Sequence, residues 1–154
     1  MGMGRGKAAL RREYEALKRG GTEAHTRGRR LEGLVYELLE SESLHPRRNL
    51  RPPGEEIDIS FTDGHRHFLL EARKLTGTLG VFLYIGAEFS KAAIQALTWG
   101  KEINTVLVNE QDMSDALSPV HSFREVLDLK LRHAARFGEC HIPYMALLES
   151  WRRR

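Results

Sequence analysis

Two carboxylates and a cation are spaced for phosphodiester chemistry in the stretch GEEIDISFTDGHRHFLLEARK, from Gly54 to Lys74. Asp58 stands in its first half, and Glu71 and Arg73 close its second half. A pair of hard carboxylates suits Mg²⁺ (or Mn²⁺), which keeps several waters and shares its remaining positions with phosphate oxygens. A metal held there would polarise a phosphodiester and lower the pKa of an attacking water. A cation two residues after Glu71 can steady charge developing on the phosphoryl oxygens. Arg73 is excluded as a general base, because a guanidinium stays protonated up to about pH 12 or beyond. Taken alone the pattern is short, and acidic residues near strand ends are common without any metal.

Two strands and a tight turn must position these groups. Ile57, Ile59 and Phe61 alternate with Glu56, Asp58 and Ser60, the period-two signature of a half-buried strand. Asp63-Gly64 is a hairpin turn signal, and His67 to Arg73 forms the return strand around Phe68, Leu69 and Leu70. Alternation points Glu71 and Arg73 to one face, and the right hairpin register would bring Asp58 beside them. The histidines His65 and His67 could share a strand face, but no partner at zinc-finger spacing accompanies them.

Helices and further strands frame the hairpin. Leu10, Tyr14 and Leu17 predict a helix over Lys7 to Arg19 that Gly20-Gly21 ends. A second helix is expected from Thr22, or only after Gly28, through RLEGLVYELLES. Leu31, Leu34, Val35 and Leu38 form its apolar face, and Glu32 lies on the flank of that face, within reach of the sheet edge. A short edge strand is expected within Leu44 to Leu50, where His45-Pro46 argues against a central place. Val81 to Ile85 and Ile103 to Val108 read as buried strands around a helix capped by Ser90, a βαβ unit with parallel pairing. Ser122 and Glu125 make a capping box for a helix to about Phe137, and Ile142-Pro143 precedes a last helix from Tyr144 to Trp151.

Composition fits one α/β domain of 154 residues, 41% apolar and 29% charged. The net charge is only +3, but residues 1–30 hold nine Lys or Arg against three Glu, and Trp151-Arg152-Arg153-Arg154 is a second basic run. Basic ends on a near-neutral body suit an anionic partner such as nucleic acid, or are simply solvated. Cys140 stands alone, so no intrachain disulfide forms, and a buried inert thiol is the plain reading. No stretch has membrane-spanning length or the pattern of a secretion signal, so the expectation is a soluble, cytoplasmic protein. Phe89 and Trp99 read as core or interface residues, and no phosphate-binding P-loop pattern is present.

The order of these motifs resembles the restriction-endonuclease-like PD-(D/E)XK superfamily, most of all the Mrr-type restriction endonucleases. GEEID is similar to that group's Gly-x-Gln-x-Asp element and LLEAR to its Glu-x-Lys strand. GVFLYIGAEFSKAAIQAL and INTVLVNEQDM are similar to its following strand–Gly–Phe–Ser/Thr–helix–strand–Asp block, so the resemblance covers Leu31 to Met113. It implies a mixed β-sheet with flanking helices (αβββ, then a βαβ-like unit) and Mg²⁺-dependent cleavage of DNA, often in defence against foreign DNA. Carried over, Asp58 and Glu71 would bind metal, Arg73 would take the Lys position, and Glu32 would be the helix acid supporting the metal shell. The expected organisation is a basic helix over residues 1–21, a nuclease-like core over 22–113 and a helical segment over 114–154.

Three departures accompany the resemblance. Glu56 replaces Gln, and Arg73 replaces Lys, which keeps charge but changes reach and removes proton transfer. The crossover helix after the Glu-x-Lys strand is missing, because only Lys74 to Gly80 separate Arg73 from Val81. A parallel crossover ordinarily needs about a dozen residues. The VFLYI strand is therefore expected to pair antiparallel, move to a non-adjacent place, or exchange with a second chain as a homodimer. Two functions stay open: a metal-dependent deoxyribonuclease, or a non-catalytic nuclease-derived module that binds nucleic acid or a protein.

Overall fold

Leu10, Tyr14 and Leu17, the apolar stripe of the first helix, are all buried, so α1 (Lys7–Lys18) is part of the core. The computed structural model describes residues 4–21, 23–50, 57–71, 80–83 and 105–154. The helix expected after Ser90 and the loop Arg51-Pro52-Pro53-Gly54 lie outside the described residues, as does Thr22.

The second helix, α2 (Ala24–Ser41), begins after Glu23, runs through Gly28, and has no side-chain cap. Leu31, Leu34, Val35, Leu38 and Leu39 are buried along one face. Its end has the geometry of a Schellman motif: Leu44 N donates to Leu39 O at 3.0 Å and Ser43 N to Glu40 O at 3.1 Å. Ser43 takes the left-handed position there, with φ 58°, where glycine is the usual occupant. Arg5 holds the N-terminal segment to this helix through Glu37, at 2.8 and 3.0 Å, and also pairs with Glu13. The Arg5 guanidinium keeps the Glu37 carboxyl below its ordinary pKa.

Among the described residues five strands form one sheet in sequence order: β1 (Arg47–Leu50), β2 (Ile57–Asp63), β3 (Arg66–Glu71), β4 (Gly80–Leu83) and β5 (Thr105–Val108). The β1–β2 and β2–β3 pairs are antiparallel, and β3–β4 and β4–β5 are parallel, so the sheet is mixed and β1 is at its edge. At the hairpin, Asp63 opposes Arg66 and Gly64 has φ 61°. Positive φ at Gly64 but not at His65 is the pattern of a type II′ turn, whose twist matches the strands.

Parallel pairing of β3 with β4 corrects the expectation that the VFLYI strand pairs antiparallel, leaves its neighbour or exchanges between chains. The register explains how a short link suffices. Leu69 opposes Gly80, so only the last three residues of β3 are paired with β4. The chain therefore returns by about two residues, roughly 7 Å at the usual rise per strand residue. Eight residues separate Glu71 from Gly80. At full extension they would reach roughly 26–29 Å. The usual minimum applies to strands paired over their whole length.

Cross-strand partners Arg48, Ile59, Leu70, Val81 and Val106 form one row on one face of the sheet. Ile59, Leu70 and Val106 are fully buried in a core shared with α1 and α2. Among the described residues three further helices follow: α3 (Glu110–Ala116), α4 (Phe123–Phe137) and α5 (Tyr144–Arg152). The short α3 falls where no helix was expected, and Asn109 and Asp112 form its capping box. The expected box on α4 is present, since Glu125 N donates to Ser122 Oγ at 3.1 Å and Ser122 N to Glu125 Oε2 at 2.9 Å. Glu42 adds a second cap from the α2 turn, accepting from Phe123 N at 2.8 Å and Arg124 N at 2.9 Å. Phe123 packs edge-on against Phe61, which stacks on Phe68 at 4.9 Å, and so seats α4 on the hairpin. No helix among the described residues is long and apolar enough to cross a membrane.

Candidate functional site

The hairpin register decides whether the two central carboxylates belong together. Ile59 opposes Leu70 and Ser60 opposes Leu69, so continuing the ladder by one residue sets Asp58 opposite Glu71. Directly opposed positions in an antiparallel pair have Cα atoms about 4.5–5.5 Å apart. Alternation then assigns both positions to one face, opposite to buried Ile59 and Leu70. Asp58 and Glu71 are described as strand backbone only, and Arg73 lies outside the described residues.

Glu32 comes from a different layer. Thr62 N donates to Leu44 O at 2.8 Å, so the C-terminal end of α2 meets the hairpin end of β2. Arg48, opposite Ile59, lies 4.5 Å from the centre of the Tyr36 ring on α2. Glu32 stands one helical turn before Tyr36 on α2 and is half-buried. The helix covers the Ile59–Leu70 face.

Two opposed carboxylate positions are a donor set that a hard divalent cation accepts, with its remaining positions open to water and phosphate. Among the described residues there is no group of three or more His, Cys, Asp or Glu arranged to hold a metal. The two histidines separate: His65 is an exposed turn residue and His67 an exposed strand residue. An open cavity of about 330 Å³ lies at the α2–β1 turn, lined by Glu40, Ser43, His45, Pro46 and Arg47. It sits towards the hairpin end of the sheet, away from Asp58. Cys140 is buried, which pushes its thiol pKa up and makes it a poor nucleophile.

The sequence reading missed one charged pair. Asp112 and Lys130 are 0% and 1% exposed, with Lys130 Nζ 2.7 Å from Asp112 Oδ2. Asp112 also accepts from Asn109 N at 3.1 Å and Tyr144 N at 2.7 Å, and Lys130 donates to Ile142 O at 2.7 Å. Burial lowers the pKa of the Lys130 ammonium, and Asp112 opposes that shift. Every contact is internal, so the pair braces α3, α4 and the start of α5 rather than presenting a reactive group. The signal was legible: Lys130 occupies a core position in the series Phe123, Val126, Leu127, Lys130, Ala134.

No family model matches the chain, and no curated protein or solved structure matches it either.

Proposed function

We propose that the protein is a metal-dependent endonuclease that hydrolyses DNA phosphodiester bonds, built on a shortened restriction-endonuclease-like core of the Mrr type. The observation that supports this reading is the antiparallel β2–β3 register, in which Ile59 opposes Leu70, so that Asp58 and Glu71, one position further on, would face each other. The order α2–β1–β2–β3, followed by parallel β4 and β5, also agrees with the αβββ-then-βαβ arrangement that the motifs imply. Asp58 and Glu71 would hold Mg²⁺ or Mn²⁺, which supplies Lewis acidity towards the phosphodiester and its attacking water. Arg73 would steady negative charge on the scissile phosphate through its fixed fork of N–H donors. Glu32, on α2, would be the helix acid that supports the metal shell. Restriction, or another defence against foreign DNA, is the biological setting this reading implies.

Cleavage of plasmid and linear DNA tests it, with wild type beside Asp58→Ala and Glu71→Ala in Mg²⁺ or Mn²⁺. Metal-dependent nicking that both substitutions abolish supports the nuclease. Nicking that survives either substitution refutes the site. Arg73 in place of Lys favours a second reading, a non-catalytic module that binds DNA. Retention of DNA without cleavage, unchanged by both substitutions, would support it.

A further inference from the structure

Some cations of the N-terminal half are engaged by carboxylates, while Arg11, Arg12, Arg19 and Arg29 are exposed with no carboxylate partner among the described residues. Arg5 pairs with Glu37 and Glu13, Arg30 with Glu13, and Lys18 with Glu15 and Glu110. Arg66 pairs with Asp63 and Asp128, and Arg124 with Asp63. The far end of α4 and α5 sets its free cations beside aromatic rings. Arg132, Arg136, Arg152, Arg153 and Arg154 are exposed, and among the described residues no carboxylate pairs with any of them.

These arginines are interleaved with rings. The Arg132 and Arg136 guanidinium carbons, one helical turn apart, lie 5.6 and 5.8 Å from the centre of the Trp151 ring. Arg136 and Arg154 lie 5.9 and 5.0 Å from the centre of Phe137, which is 40% exposed. The nearby acids do not neutralise the surface. Glu139 is 3.8 Å from His133, and Glu149 is two residues from Trp151, about 200° around α5 at the usual helical step. A guanidinium resting on a ring is partly ordered beforehand while its N–H edge can still take a planar oxyanion. Unpaired arginines also stand on α1, but helix packing alone does not need a phenyl ring left 40% exposed between two of them.

We propose that this arginine–aromatic face of α4 and α5 contacts nucleic acid, its guanidinium groups taking backbone phosphates and Phe137 offering a surface on which a base can stack. The inference deepens the DNA reading by naming a contact surface, and it rests on that reading for the choice of DNA.

Binding of fluorescently labelled DNA, followed by anisotropy in EDTA over a series of salt concentrations, tests the proposal independently of any metal or cleavage. Each phosphate contact contributes about 0.9 to the slope of log affinity against log salt on duplex DNA. Arg132→Ala/Arg136→Ala should therefore lower the slope by about 1.8 and weaken binding roughly 60-fold at 0.1 M salt. Arg132→Lys/Arg136→Lys should recover much of that slope, and the far-ultraviolet circular dichroism and melting of each variant establish that it is folded. Arg11→Ala/Arg12→Ala, which removes the same charge from exposed positions on α1, should leave the slope near wild type. Unchanged binding by the α4 variant overturns the proposal, as does an equal loss in the α1 variant. Binding to phosphatidylserine vesicles but not to DNA would also overturn it. None of these results would touch the cleavage site, because the assay contains no divalent metal.

Discussion

Removing the positive end of the buried Asp112–Lys130 pair should expose how much the C-terminal helices depend on it. In Lys130→Met the side chain keeps its approximate volume, but Asp112 stays buried with only the Asn109 and Tyr144 N–H groups facing it. Breaking a buried ion pair from one side costs about 3–5 kcal/mol. A domain of this size has a total stability of about 5–15 kcal/mol, so the loss is severe without being complete. With a urea dependence of about 2 kcal/mol per molar, the unfolding midpoint should fall by roughly 2 M. Asp112→Asn should cost a similar amount, because it strands the Lys130 ammonium against Ile142 O alone. In Asp112→Asn/Lys130→Met neither charge remains, and the amide oxygen can still accept from Tyr144 N. That double variant should lose only about 1–2 kcal/mol, the value of one or two buried hydrogen bonds. Urea unfolding followed by circular dichroism at pH 7 measures all three. Single losses below about 1 kcal/mol, or a double variant equal to the sum of the singles, would refute the brace.

Three smaller predictions follow from the same structure. Ser43→Gly should raise stability by about 0.5–1 kcal/mol, since the residue already has a left-handed backbone and glycine avoids the Cβ penalty there; an unchanged melting temperature would contradict this. Glu42→Ala should destabilise by about 1–2 kcal/mol, because it uncaps the first two N–H groups of α4. Asp115 lies in the last turn of α3, and desolvation raises its carboxyl pKa. The folded state therefore holds that proton more tightly than the unfolded state. Its contribution is favourable in acid and is lost as pH rises through the raised pKa. Asp115→Asn should remove that part of the pH dependence and stabilise the protein by about 0.5 kcal/mol at pH 7, as a charge at the wrong end of a helix dipole would predict. A pH–stability profile that superimposes on wild type would exclude the effect.

Much of the framework was legible because local signals coincided with burial. The stripe of Leu10, Tyr14 and Leu17, the Ser122–Glu125 box and the Gly64 turn each fixed an element within a residue or two. The alternation through Ile59 and Phe61 set which described residues of β2 face the core. Pairing was less legible. A short link argued against parallel β3–β4, but the needed length depends on register, and no local pattern reveals that only the end of β3 is paired. Lys130 was overlooked because its partner lies 18 residues away, in a helix too short to announce itself by periodicity.

The central claim is that Asp58 and Glu71 together hold one divalent ion, and Mn²⁺ binding followed by electron paramagnetic resonance of the free ion tests it without relying on catalysis. The register predicts one bound Mn²⁺ per chain in the wild type and its loss, or a weakening of at least tenfold, in both Asp58→Ala and Glu71→Ala. Stoichiometric binding that neither substitution disturbs, or that only one of them disturbs, would contradict a shared site.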